Sequence, residues 1–227
     1  MRREEMIVAS KSVHIDLQPF LLSRKKFYQY LYALFLEPVT EEWLYELGTI
    51  GNLSELKEFH EGGQILAAFF ERLDTEQFTK EREEYLRLFV GPGSMVAPPW
   101  ESYYRSKEHL LFEKWTVQIR EQYYHYGLKY QKENNEPEDH LLLELEFIIF
   151  LADLCLQTSG TKRIEKLLTS QQHILEEHLL RWIPDFCKRI MDHTTSRLYL
   201  GASMLLEDFL RFDSTTLLEV REALTDV

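Results

Sequence analysis

The residues best suited to chemistry fall in two short segments. The first runs Tyr85-Leu86-Arg87-Leu88-Phe89-Val90-Gly91-Pro92-Gly93 and continues through Ala97-Pro98-Pro99-Trp100-Glu101-Ser102-Tyr103-Tyr104. Prolines fix the backbone, so Trp100 and Tyr104 are displayed at little entropic cost. An aromatic shelf beside an acid suits an apolar peptide carrying Arg, held by burial and cation–π contact. A buried loop with Trp100 and Pro99 as core plugs fits the same residues. The second segment is Glu136-Pro137-Glu138-Asp139-His140. Pro at a first helical turn, with acids against the positive helix end, accounts for Pro137, Glu138 and Asp139 without any function. His140, one turn before Glu144 on the same face, either caps a hydrogen-bond network in the core or titrates near neutral pH in a cleft. Glu144 and Glu146 sit inside an apolar helix, so at least one is expected to face a groove or a buried Arg. His173, Glu177 and His178 are spaced for a metal cluster on paper, but a solvated helix face explains them better.

Most catalytic signatures are absent. Gly91-Pro92-Gly93 has no third glycine at Val96 and follows a helix, so the dinucleotide fingerprint fails. There is no GxxxxGK[ST] loop, no GxSxG elbow and no HExxH. No histidine has Glu three residues before it, which removes the carboxylate di-iron motif. An all-helical phosphohydrolase wants a His-Asp dipeptide, and the order here is Asp139-His140. No catalytic residue and no metal ligand set is therefore expected.

Long helices must position the two segments. Phe27, Tyr28, Leu31, Leu34 and Phe35 form an amphipathic stripe that Pro38 ends, and Thr40 is placed to cap the next helix. Helical pattern runs from Thr75 to Val90 and stops at Gly91-Pro92-Gly93. It resumes from about Ser106 to Gly127. A helix from Leu141 is apolar nearly all round and should form the centre of the core. Further helices are expected over Thr161–Ile183, Pro184–Asp192, Ser196–Phe212 and Ser214–Leu224. No alternating pattern longer than four residues appears. The fold class is all-α, a multi-helix single domain over residues 1–227 or two fused helical lobes, with one long Gly/Pro-rich loop at about 91–104. Residues 1–18 are expected to be a disordered N-terminus.

With a net charge of −12 and a sequence pI near 5.2, the chain lacks the basic face that nucleic acids require. Its charge attracts cations, a basic peptide among them. Two cysteines, Cys155 and Cys187, fit a reducing cytoplasm and no zinc motif. Arg2-Arg3 is followed by only four apolar residues, Met6 to Ala9, too few for a signal h-region. The longest uncharged apolar run, Phe147 to Ala152, is far below the ~18 residues of a membrane span, so no stable membrane insertion is expected.

At the two segments the sequence resembles the TorD/DmsD family of cytoplasmic chaperones for redox-enzyme maturation, part of a NarJ-like superfamily. The resemblance rests on Tyr85-Leu86-Arg87-Leu88-Phe89 running into Gly91-Pro92-Gly93, then Pro98-Pro99-Trp100-Glu101-Ser102-Tyr103-Tyr104, then Glu136-Pro137-Glu138-Asp139-His140. His178-Leu179-Leu180-Arg181-Trp182 matches a later family segment, so the likeness spans about residues 20–210. It implies an all-helical, non-catalytic protein that binds the twin-arginine signal peptide, or the apo-precursor, of a molybdenum-cofactor oxidoreductase. The client is held until the cofactor is inserted and export follows, with the Tat translocon as a further implied partner. Peptide-binding positions carried over are Tyr85, Leu88, Phe89, Pro99, Trp100, Tyr104, Asp139 and His140. Glu101 joins them as a neighbouring carboxylate, with Glu138 and Asp139, for the two guanidinium groups. Tyr85 and Tyr104 can be Trp in relatives, and Gly93 can be aromatic. Weak guanine-nucleotide binding is associated with some members, and no phosphate loop is present here. No other cofactor is implied, and the chain is expected as a monomer or a helix-exchanged dimer. Two alternatives stand beside this reading: a scaffold for a non-exported metalloenzyme, and an all-α metal-dependent hydrolase built on Asp139, His140, Glu144 and His178.

Overall fold

Residues 16–38 and 40–225 are described by the structure, a computed structural model. The expected disordered N-terminus falls mainly outside the described residues, and Gln18 is already helical. The helices are α1 (Gln18–Leu34), α2 (Glu41–Ile50), α3 (Leu53–Phe59), α4 (Glu61–Phe70), α5 (Thr75–Tyr85), α6 (Glu101–Arg105), α7 (Lys114–His125), α8 (Leu141–Gln157), α9 (Thr161–Ile174), α10 (Leu180–His193) and α11 (Arg197–Thr225). Single wide π-turns, Leu86–Val90 and Leu175–Leu179, follow α5 and join α9 to α10. The fold is all-α, and the described residues contain no strand beyond an isolated bridge between Trp100 and His140.

Local sequence explains where the helices begin. The Thr40 and Asp74 side chains accept from the backbone N–H of Trp43 and Gln77, at 3.1 and 2.8 Å, and so cap α2 and α5. Helix α8 buries Leu141, Leu145, Phe147, Ile148, Leu151, Ala152 and Cys155 between α1 and α9. Helix α11 packs on α4, α9, α10 and α1, so elements before and after the Gly/Pro-rich loop interleave. Its crossing with α4 is close. A Cβ at Gly201 would lie 2.8 Å from the Gly62 carbonyl oxygen, and one at Gly62 would lie 2.7 Å from that of Gly201.

Four expectations about boundaries are corrected. The helix expected from Ser106 to Gly127 begins only at Lys114, and the loop expected to reach residue 104 gives way to helix α6 at Glu101. Pro184 does not open a helix but lies inside α10. The carbonyl that its missing N–H would leave unbonded belongs to Leu180, the first residue of α10 after the π-turn. The break expected between Phe212 and Ser214 is absent, because α11 runs on to Thr225. Asp213 and Ser214 are buried there with partners on other helices, Arg24 and Gln172.

Candidate functional site

The π-turn after α5 directs the first motif. Its closing bond runs from the Gly91 N–H to the Leu86 carbonyl at 2.7 Å, and Gly91 adopts φ +99°, a conformation that favours glycine. The turn sends Leu88 and Phe89 inward and leaves Val90 exposed. The following loop is then stitched on both sides. Ala97 N–H donates to the Leu88 carbonyl at 2.8 Å, Leu141 N–H to the Pro99 carbonyl at 2.9 Å, and Glu101 N–H to the Asp139 carbonyl at 2.9 Å. These bonds set Trp100 against His140, edge to face with ring centroids 5.2 Å apart. The two segments singled out in the sequence therefore meet backbone to backbone.

Between them opens a cleft of about 280 Å³, walled by Phe35, Tyr85, Phe89, Met95, Pro99, Trp100, Leu141, Leu142 and Phe186. His140 and Glu136 also reach it, with Glu136 exposed at the rim. Tyr85 and Phe89 meet edge to face at 5.3 Å, and Phe89 lies 6.0 Å from Phe186. Trp100 Nε1 is buried with no hydrogen-bond partner. His140 Nδ1 accepts from Leu142 N–H at 3.1 Å and caps α8. Burial pushes its pKa down to about 4, against a smaller opposite pull from Glu136. A wider opening of about 630 Å³ flanks α5, but charged side chains line it, and its Glu81 and Glu84 are bonded to Ser196 and Arg87.

Five of the nine expected peptide-binding residues, Tyr85, Phe89, Pro99, Trp100 and His140, line the cleft. The other four stand behind it. Leu88 is fully buried in the core, and Tyr104 stacks on Trp182 at 5.5 Å. Asp139 is fully buried, accepting from Ser102 N–H at 2.6 Å and Thr116 Oγ1 at 2.9 Å, so it caps α6 from another part of the chain. Burial raises its pKa despite those bonds. Glu101 is fully buried, bonded to Arg105 and to His178 Nδ1, the latter at 2.7 Å. Glu138 forms a two-pronged pair with Arg120 at 2.9 and 2.8 Å. None of these three carboxylates is free to meet an incoming arginine, contrary to the expectation. Glu146 is solvent-exposed, and Glu144 is buried, accepting from Trp182 Nε1 at 3.2 Å. Burial, then the Glu101 and Asp139 carboxylates, push its pKa well up.

Phe35 and Phe186 were missed in the sequence. Phe35 looks like the end of a core stripe, and only the i, i+4 pairing of Trp182 with Phe186 signals an aromatic face there.

The family model described as nitrate reductase delta subunit matches residues 54–188, more than half of the chain and all of both motif segments. The chain belongs to the TorD/NarJ family. Chaperone protein TorD of Aliivibrio salmonicida is 27% identical over 206 residues, covering 87% of this chain and 96% of that protein. TorD of Vibrio cholerae is 28% identical over 205 residues, covering 87% and 93%. A crystal structure of a proposed redox enzyme maturation protein from Archaeoglobus fulgidus shares the fold, with TM-score 0.54 and 22% identity over 83% of this chain and 93% of that one. TorD-family proteins are chaperones rather than enzymes, and this chain is a maturation chaperone. The hydrolase alternative lapses with that assignment, and Asp139 and His140 are engaged as helix caps. No described helix is long and apolar enough to cross a membrane.

Stability in acid follows from His140. Its folded pKa, about 4, lies below the ordinary 6.5, so between those values the unfolded chain takes up a proton that the folded chain refuses. The stabilisation is complete above pH 6.5 and is lost as pH falls towards 4, up to about 3 kcal/mol over that window. In thermal melts, the Tm advantage of wild type over His140→Asn is expected to shrink steadily from pH 7 to pH 4.5. A constant difference would mean that His140 is not held neutral by burial.

Proposed function

We propose that this chaperone binds the twin-arginine signal peptide of a molybdenum-cofactor oxidoreductase precursor in the Trp100–His140 cleft. In the cytoplasm it holds the precursor until the cofactor is inserted, and then yields it for export. The observation that carries the reading is the apolar cleft itself, walled by side chains of both motif segments, with Glu136 on its rim. An apolar signal-peptide segment fills such a wall. The arginines fall to acids at the edge. Glu136 is exposed and pairs with Lys132 and Tyr130, and Glu37 pairs loosely with Arg82 at 3.8 Å, surface contacts that a guanidinium can exchange for, unlike the buried bonds of Glu101, Glu138 and Asp139. Each buried apolar side chain contributes ~1.5–3 kcal/mol and each charge-assisted bond a similar amount, while ordering the peptide costs several kcal/mol. The balance is a micromolar, reversible complex, as a holder that must release its client requires.

Calorimetric titration with synthetic twin-arginine signal peptides from redox enzymes of the same genome tests the proposal. Micromolar binding of one peptide, weakened at least tenfold when both arginines become lysine, is the expected result. Failure of every peptide to bind would overturn it.

A further inference from the structure

Behind the cleft, α6, α8 and the second π-turn bring Glu101, Glu144 and His178 together, with one ligating atom of each within 4.8 Å of the others. Glu101 and Glu144 are 0% exposed and His178 is 2% exposed. Only one oxygen of Glu144 is satisfied. Oε2 accepts from Trp182 Nε1, whereas Oε1 is buried without a partner. A buried oxygen in that condition calls for a donor, a proton or a cation. The charges are unbalanced as well. The carboxylates of Glu101, Glu144 and Asp139 act on one another, and among the described residues the cation bonded to them is Arg105, on Glu101. Without an ion, burial answers this by favouring the protonated carboxyls; with the carboxylates ionised, as metal ligation requires, three negative charges against one positive leave a deficit of two that one divalent ion removes.

We propose that Glu101, Glu144 and His178 bind a divalent ion of the zinc class, with a structural role behind the peptide cleft. One imidazole nitrogen and two carboxylate oxygens are donors that Zn²⁺ and Co²⁺ accept at about 2.0–2.2 Å. Donors at that distance from a tetrahedral ion stand roughly 3.3–3.6 Å apart, so the 2.7 Å hydrogen bond between His178 Nδ1 and Glu101 Oε2 opens by under about 1 Å as the ion replaces its proton. The three ligands lie on elements far apart in sequence, so the ion ties the motif loop's helix α6 to the core helix α8 and to the π-turn. None of the three lines the cleft. The site therefore stands whether or not the cleft takes a peptide.

The test uses full-length protein stripped with a chelator and then titrated with Co²⁺ or Zn²⁺. One equivalent of Co²⁺ is expected to develop visible ligand-field bands, and Zn²⁺ at about a hundred times its Kd is expected to raise Tm by about 5–10 °C. Glu144→Gln keeps the volume and the acceptor for Trp182 and should fold, as circular dichroism would verify, yet it should lose the bands and the Tm shift. His178→Gln should lose them too. Wild type without bands or shift would overturn the proposal, leaving the cluster to protons alone. Bands unchanged in both variants would overturn it equally, because the ion would then sit on surface groups.

Discussion

Trp100→Ala is expected to weaken binding of the client signal peptide about 30-fold, about 2 kcal/mol, without loss of helical content. Trp100 sits where the two motif segments meet, half-buried against His140, and supplies apolar wall to the cleft. Truncating a central aromatic of that kind removes a large contact area, the pattern of an interface hot spot. The fold should survive, because the stitching around it is backbone to backbone, through Glu101 N–H to Asp139 and Leu141 N–H to Pro99. Leu88→Ala is the informative contrast. Leu88 comes from the same motif but is fully buried, so its truncation should cost about 2–5 kcal/mol of stability and leave the affinity of the folded protein nearly unchanged. Titration calorimetry on both variants, with melts alongside, separates cleft residues from core residues. Equal affinity for Trp100→Ala and wild type would remove the cleft from the binding reaction.

That contrast marks what the sequence could reveal. Thr40 before two glutamates, and the unbroken apolar run from Leu141, act within one or two helical turns, so their structural roles are readable from neighbours alone. The meeting of Trp100 with His140 is not local, and neither segment announces it; only the resemblance, by giving both residues to one peptide site, implied that they lie near each other. The carboxylates were misread for a physical reason. An Asp or Glu looks the same in sequence whether it waits for a ligand or is already bonded. Glu101 is taken by His178, 77 residues away, and Glu138 by Arg120, 18 residues away. No periodicity reports such pairings. The same blindness placed a break at Asp213 and Ser214, two polar residues in mid-helix whose partners lie on other helices.

Asp213→Ala should therefore be the most destabilising single change, costing about 3–5 kcal/mol and lowering Tm by about 6–20 °C. Both Asp213 oxygens accept from Arg24, at 2.6 and 2.8 Å, and Oδ2 also accepts from Tyr28 at 2.5 Å. Arg24 completes its set on Gln171. Helices α1, α9 and α11 are thus joined through one cluster that water does not reach, with Arg24 and Asp213 each 3% exposed. Removing the carboxylate strands a guanidinium in that medium, and its desolvation cost loses the Coulombic return that offset it. The pair's net contribution is a different quantity. Arg24→Met combined with Asp213→Leu removes both charges and should recover most of the loss, although the Tyr28 hydroxyl then lacks its acceptor. Denaturant melts of the two variants and wild type decide the matter. If the double variant is as unstable as Asp213→Ala, the cluster stabilises by its hydrogen bonds and shape, and a stranded charge is not the cause.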